Sequence, residues 1–574
     1  MKKNTFRWQA IGWLLVLAAP ATLQAQSWHW ASAPGAIVDP APVGAPGGSV
    51  IVAAAPDGAG NTVVAGNFSG SFTLGGTTLV SQGYSDVFVA RLGPGGEWLQ
   101  AVRAGGPSED VVSGLKLDAA GNAIISGRFG NLVAGATAEF GSFALTSAGG
   151  TDAFVARLNP GGQWTQAVRA GGPGNDEANA LALDAAGNAV VAGSFQGSPG
   201  FGPTTLAADG VTTAAFVARL NLAAGTWTQA SQSTCAFSTV PFRNLVSAVA
   251  LDAADNVVLA GQFDANTRFG ALALSNALGG TSAYLARLSA GGQWTQAVQL
   301  TNNSRLAPPP TINALAVDGA GTATVAGVLL ETVAFGPTTL VSAGSYDVFV
   351  ARLDAAGQWT QAVRAGGPAN DLARALAVDA AGNATVAGLF GVYGSPGQVA
   401  TAAFGPLALS SSGGLYDVFV ARLDAAGQWT QAVRAGGAGN DEANAVSIDA
   451  EGSITVAGSC GNAAGFGGFT LSGTTSFPMA FAARFAGTAL ATHAPAPAEV
   501  FALAPNPAAG LVRLSWPETS PAARPVQVLD ALGREVRRQE LPARTRAATL
   551  DLAGLAPGLY VVRCGAGASR LRVE

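Results

Sequence analysis

The sequence predicts an all-β chain: seven copies of a four-strand unit that close into a ring, followed by a small separate β domain. Three observations carry this. The string Phe-Val-Ala-Arg-Leu, or a close variant, begins at Phe88, Phe154, Phe216, Tyr284, Phe349, Phe419 and Phe481. An Asp-x-x-Gly-Asn-like turn precedes each, with its aspartate at Asp57, Asp118, Asp184, Asp252, Asp318, Asp379 and Asp449. Short Val/Ala runs between Gly, Pro, Asn and Asp clusters, at regular spacing, read as strands and turns.

The first 25 residues predict a secretory signal. Lys2, Lys3 and Arg7 form its basic end, a mainly apolar stretch runs from Ala10 to Ala21, and Leu23-Gln24-Ala25 offers a cleavage site. No later apolar run is long enough to span a bilayer, so a soluble monomer outside the cytoplasm is expected. The 574 residues are 49% apolar and 11% charged, with net charge −5. So much apolar content excludes a disordered chain. Mild acidity gives no general attraction to nucleic acid or anionic membrane. His29 and His493 are the only histidines, which disfavours histidine-based catalysis and metal sites. Cys235, Cys460 and Cys564 form no disulfide framework. Cys235 and Cys460 either pair or stay as buried thiols.

The second copy shows the unit in order. Ala180–Leu183 is a strand, Asp184–Asn188 a turn and Ala189–Gly193 a second strand. The turn suits a type I geometry closed by a left-handed glycine, with the aspartate capping backbone N–H groups. Calcium is a poor fit, because the acidic spacing of a calcium loop is missing. A variable Gly-rich loop then runs through Phe201-Gly202 to Leu206. Phe154–Leu158, a turn at Asn159–Gly162 and a strand from Trp164 to Ala170 represent the third and fourth strands.

Fourth strands begin at Trp98, Trp164, Trp227, Trp294, Trp359 and Trp429, but the seventh copy ends at Phe485 without one. Trp28-His29-Trp30-Ala31 has the missing pattern. The N-terminal strand is therefore expected to complete the last unit and protect its open edge. In the rival phase, each Trp strand opens a unit and nothing is shared. The recurring tryptophans read as packing residues rather than a sugar platform.

Four short strands repeated seven times resemble a seven-bladed β-propeller. The motifs Asp-x-x-Gly-Asn, Val-Ala-Gly, Asp-x-Phe-Val-Ala-Arg-Leu and Trp are similar to the bacterial propeller repeats called SBBP, over residues 26–486.

Four copies share a set of charges. Asp86, Asp152, Asp347 and Asp417 lie two residues before the Phe. Arg103, Arg169, Arg364 and Arg434 lie five after the Trp, and Asp110, Asp176, Asp371 and Asp441 follow in the next loop. The third and fourth copies lose all three, holding Ala214 and Gln232, then Ser282 and Gln299. Joint loss predicts contact, as an Asp–Arg–Asp bridge between neighbouring units. Segments Ser231–Asn244 and Thr301–Thr311 make these copies irregular, and the longest second-to-third-strand loop is Val392–Ala403. Departures from a regular scaffold are where specificity usually sits.

Residues 487–498 read as a linker. From Glu499 the chain turns Arg-rich with alternating strands. Leu503-Ala504-Pro505-Asn506-Pro507, a strand and turn through Gly533, and Leu555-Ala556-Pro557-Gly558-Leu559-Tyr560 stand in this order. Together they resemble the C-terminal sorting domain of type IX secretion. The resemblance implies a small Ig-like β-sandwich, the secretion machinery as partner, and a secreted or surface location. Pro505, Asn506, Pro507, Gly533, Gly558 and Tyr560 carry it.

The sequence contains no phosphate-binding loop, no His-Glu-x-x-His and no Ser–His–Asp set, and calls for no cofactor. The expectation is a non-catalytic scaffold binding an extracellular protein or glycan. The alternative is a polysaccharide-active enzyme at the irregular third and fourth copies, since paired carboxylates are available.

Overall fold

A computed structural model of the chain describes residues 28–35, 47–130, 135–208, 212–235, 243–264, 266–275, 281–300, 308–392, 398–461, 463–472, 477–485, 502–516, 524–530, 535–543, 545–564 and 567–574. The residues read as a secretory signal, the linker with His493, Gly533, half of the Ser231–Asn244 insert and most of the Thr301–Thr311 insert lie outside these residues, as does the Cys235 side chain. The described residues are all β, with no helix and so none to cross a membrane. The chain divides into two compact units, Met1–Gly487 and Thr488–Glu574.

The first unit holds seven four-stranded antiparallel sheets. Sheet one is Gly48–Pro56, Thr62–Ser69, Asp86–Leu92 and Trp98–Ala104. Sheet two is Glu109–Leu117, Ala123–Gly130, Thr151–Leu158 and Trp164–Ala170. Sheet three is Asp176–Leu183, Ala189–Phe195, Ala214–Asn221 and Thr226–Gln232. Sheet four is Asn244–Leu251, Val257–Phe263, Ser282–Leu288 and Trp294–Leu300. Sheet five is Thr311–Val317, Ala323–Leu329, Asp347–Leu353 and Trp359–Ala365. Sheet six is Asn370–Val378, Ala384–Gly391, Tyr416–Leu423 and Trp429–Ala435. Sheet seven is Glu442–Ile448, Ile454–Cys460 and Met479–Phe485, with Trp28–Ser32 as its fourth strand. Trp28 pairs opposite Phe485, as Trp429 pairs opposite Leu423. The N-terminal segment thus occupies the position that the seventh copy leaves empty.

The first strand of each sheet packs on the first strand of the next, and that of sheet seven packs on Gly48–Pro56 of sheet one. Each first strand bulges at one register position, occupied by Val52, Ser113, Asn179, Ser247, Asn313, Arg374 and Asn444. A bulge leaves backbone groups unpaired, and side chains from the preceding sheet satisfy several of them. Asn179 Nδ2 donates to Val246 O at 3.2 Å, Ser247 Oγ to Ile312 O at 2.5 Å and Asn313 Nδ2 to Ala373 O at 2.7 Å. At sheet one, where Val52 has no donor, Asn67 takes the role and accepts from the Val112 N–H at 2.8 Å.

The loop expected between second and third strands is a small two-stranded hairpin in each copy. In sheet two, Thr137–Phe140 pairs with Phe143–Thr146 across a two-residue turn at Gly141-Ser142. Gly141 adopts φ +60, which suits glycine in such turns. These short pairs lack the alternation of a full strand, so composition alone reads as loop. Each hairpin carries an apolar residue toward the fourth-strand Trp. Phe140–Trp164, Phe201–Trp227, Phe335–Trp359 and Phe404–Trp429 meet edge-on with centroids 5.2 Å apart. Phe466–Trp28 repeats this at 5.2 Å and 88°.

The second unit comprises two antiparallel sheets. One is Ala502–Ala504, Leu511–Ser515 and Ala547–Asp551; the other is Glu535–Leu541, Arg524–Leu529, Gly558–Cys564 and Gly567–Val573. Val512, Leu514 and Leu550 from one share a core with Val528, Val562 and Leu571 from the other.

Candidate functional site

Two kinds of junction join neighbouring sheets. The first sits at the turns between first and second strands. Asp118 Oδ1 accepts the N–H groups of Ala120 and Asn122, and its Oδ2 accepts Asn122 Nδ2 at 2.7 Å and Arg157 Nη2 at 2.7 Å. Arg157 belongs to the Phe-Val-Ala-Arg-Leu strand, and Arg219 pairs likewise with Asp184 at 3.2 Å. Arg91–Asp57, Arg422–Asp379 and Arg484–Asp449 do the same. At Asp57, burial raises the carboxyl pKa, but Asn61, the Ala59 and Asn61 N–H groups and Arg91 outweigh it and hold it below the ordinary value.

The repeat arginines also reach the next sheet. Arg219 donates to Asp255 O at 2.6 Å, Arg287 to Gly321 O at 2.7 Å and Arg484 to Gly60 O at 3.2 Å. The last of these joins sheet seven to sheet one. Asp255 holds φ 58 where the other turns carry glycine. This double role of the arginines was not legible from spacing, although their recurrence marked them.

The second kind of junction contains the charge set. Arg103, Arg169 and Arg364 pair with Asp86, Asp152 and Asp347, and Arg434 pairs with Asp417 at 3.0 Å. These four carboxylates are fully buried. The second aspartates do not complete an Asp–Arg–Asp bridge: among the described residues no arginine forms an ion pair with them. Instead Asp110, Asp176, Asp371 and Asp441 cap the Gly-Gly loop entering their sheet. They accept the N–H groups of Gly106, Gly172, Gly367 and Gly437 at 2.7–2.8 Å. That demand fixes the second carboxylate, and the arginine is left to the first.

The two carboxylates still lie close together. A Cβ on Gly366 (φ +140) would lie 2.5 Å from Asp347 Oδ1 and 2.9 Å from Asp371 Oδ2. Only glycine leaves that space. Burial, with the neighbouring Asp86, Asp152 and Asp347 charges adding to it, raises Asp110, Asp176 and Asp371 to about 7. Burial raises Asp441 to about 6, with Asp417 adding to it. Oδ1 of both partners has no hydrogen-bond partner in the pairs Asp86/Asp110, Asp152/Asp176 and Asp347/Asp371. Protonation of the second carboxylate removes the like-charge repulsion.

The third and fourth copies replace charge with neutral hydrogen bonds. Asn244 occupies the position of Asp110, and its Nδ2 donates to Ser233 Oγ at 2.9 Å. Gln299 donates to Ser282 Oγ at 3.3 Å. These copies are therefore junctions of another chemistry. His29 is exposed, and Cys460 is a buried free thiol. Among the described residues no group of three His, Cys, Asp or Glu could hold a metal ion.

One cleft departs from the repeat. About 610 Å³ in volume, it is lined by residues of sheets one and seven together with Tyr84, Glu109, Asn440 and Pro478. Tyr84 is 50% exposed. Glu109 lies 3.5 Å from Arg128, and Glu442 Oε1 accepts Asn440 Nδ2 at 2.7 Å.

In the second unit, Asn506 is pinned to the last strand. Its Nδ2 donates to Arg570 O at 2.7 Å and its Oδ1 accepts the Arg572 N–H at 2.9 Å. Pro505 and Pro507 both follow cis peptide bonds. Gly558 opens a strand, and Tyr560 donates to Ala556 O at 2.8 Å. No curated protein matches the chain. Residues 502–572 match the family model of the secretion system C-terminal sorting domain. This C-terminal unit is thus a sorting domain, and it implies export by type IX secretion to the cell surface or the medium.

Proposed function

We propose that residues 26–486 form a closed seven-bladed β-propeller of the SBBP type, which binds an extracellular ligand without catalysis. A cleaved signal over residues 1–25 takes the chain to the periplasm, and the sorting domain takes it across the outer membrane. The observation that supports this best is the seam. Sheet seven joins sheet one through the same contacts that join the other sheets, including the Ser49 N–H to Pro478 O bond at 3.0 Å. Its counterparts are Asp110 to Ser85, Asn244 to Thr213, Asp371 to Tyr346 and Asp441 to Tyr416. A scaffold reading fits charge sets that recur in four equivalent places, whereas a catalytic centre breaks a repeat.

Three measurements test the reading. Electron-microscopy class averages of the exported protein are expected to show seven radial units around an axis; another count or an open arc overturns the propeller. Deletion of residues 502–574 is expected to leave the protein in the periplasm by cell fractionation. Turnover of a polysaccharide, lost on substituting junction aspartates, overturns the non-catalytic role.

A further inference from the structure

The cleft at the seam is the place where the repeat gives way to particular residues. Six of the seven first strands follow the fourth strand of the sheet before them in the chain. Sheet one follows the N-terminal strand, which is the fourth strand of sheet seven, and it enters through Gly47 and Gly48. Ser49 occupies the register that Asp110 holds in sheet two, pairing with Phe68 as Asp110 pairs with Phe129. The cleft lies beside Ser49 and Val50, against residues of sheet seven.

Its lining breaks the pattern. Tyr84 stands where the other copies have Gly150, Thr212, Gly280, Ser345, Leu415 and Phe477. Glu109 stands where sheets three, six and seven have Asn175, Asn370 and Asn440. Asn67 stands where the other sheets have Arg128, Ser194, Gln262, Val328, Leu389 and Ser459. A tyrosine, a glutamate and an asparagine therefore converge on one cavity, of a size that suits a small ligand.

The lining selects among ligands. It contains no lysine or arginine, and both of its charges are carboxylates, so an anionic ligand is repelled. Glu109 is already set against Arg128, and Glu442 already holds Asn440, which weakens the attraction for a cation. Each carboxylate still has lone pairs to spare, since a carboxylate offers about four acceptor sites. Ser85 and Ser459 add hydroxyls around it, whereas Asn67 is engaged with Val112 and Ser49 Oγ accepts the Ala480 N–H. The half-exposed Tyr84 presents an apolar ring with a polar tip. Acceptors for hydroxyl donors beside an exposed ring describe a neutral sugar.

We propose that this cleft binds neutral oligosaccharides, stacking one ring on Tyr84 and accepting hydroxyls at Glu109 and Glu442. It rests on the reading of the exported unit as a binding module and names that module's ligand class.

The test uses the full-length protein on an array of neutral gluco-, galacto-, manno- and xylo-oligosaccharides. Sulfated and uronic-acid oligosaccharides and oligolysine peptides serve as the other arms. At least one neutral oligosaccharide is expected to bind, with affinity reduced tenfold or more by Tyr84→Ala and by Glu109→Gln. Asn175→Ala, at the Glu109 position of sheet three, is expected to leave binding unchanged. Thermal midpoints within ~2 °C of the parent exclude loss of fold, and Tyr84→Phe is expected to retain most of the affinity. Binding only to oligolysine, or no binding to neutral sugars at millimolar concentration, overturns the proposal. Sugar binding untouched by both cleft variants also overturns it, while leaving the binding module intact.

Discussion

Asp371 meets Asp347 in a space too small for a side chain on Gly366, and only one of the two is paired with Arg364. A carboxylate whose folded pKa is raised favours the protonated, folded form. Its contribution is full below the unfolded pKa of ~4 and is lost as pH rises to about 7 for Asp110, Asp176 and Asp371. The first unit is therefore expected to lose thermal stability between pH 5 and pH 8. Asp371→Asn should raise the midpoint at pH 8, by on the order of 1–2 kcal/mol, and change little at pH 5. The amide keeps an acceptor for the Gly367 N–H and gains a donor for Asp347, as Asn244 already does toward Ser233. An Asp371→Asn midpoint that falls equally at both pH values would contradict this. Conversely, Arg169→Ala strands the buried Asp152 carboxylate. It should cost on the order of 1–3 kcal/mol, the smaller figure if water reaches the site. Joint loss of the three charges pointed to their proximity. Which aspartate holds the arginine was not legible, because it depends on loop N–H groups that sequence does not place.

Strand-level patterns were the most legible part of the chain. Short Val/Ala runs between turn residues located the four long strands, and the tally of tryptophans located the fourth strand of sheet seven. The small hairpins escaped because two to four residues carry no readable period, yet in sheets two to seven they supply an aromatic partner of the Trp. Trp28 touches Phe466 and Phe485 with centroids 5.2 and 5.0 Å apart. Trp164 touches Phe140 in the same way. Trp28→Ala and Trp164→Ala are accordingly expected to destabilise the fold alike, by roughly 3–5 kcal/mol, read as the shift in urea midpoint. A near-zero shift for Trp28→Ala alone would mean that the N-terminal strand frays without consequence. Trp98 Nε1 donates to Ala33 O at 3.3 Å, as Trp164 Nε1 does to Arg103 O. That strand is therefore held from both sides.

At the scale of the whole molecule, export and the seam meet. Moving residues 28–33 behind Phe485 through an Asn-Pro-Gly-Gly turn, copied from Asn159–Gly162, restores the order found in sheets one to six. Such a permutant is expected to fold with an unchanged β circular-dichroism spectrum; an unfolded product would show that the N-terminal position itself is required. The native order has a temporal consequence. Arg484 and Gly60 are 424 residues apart in sequence, whereas Trp164 and Arg103 are 61 apart. Joining the distant pair costs roughly 2 kcal/mol more in loop-closure entropy, so the seam forms last. Residues 28–32 are made long before their partner strand and wait unpaired until Met479–Phe485 arrives. A chain cut short anywhere before that strand keeps an open edge that proteases and aggregation can find. The N-terminal strand is thus covered only in a molecule that has been made as far as Phe485.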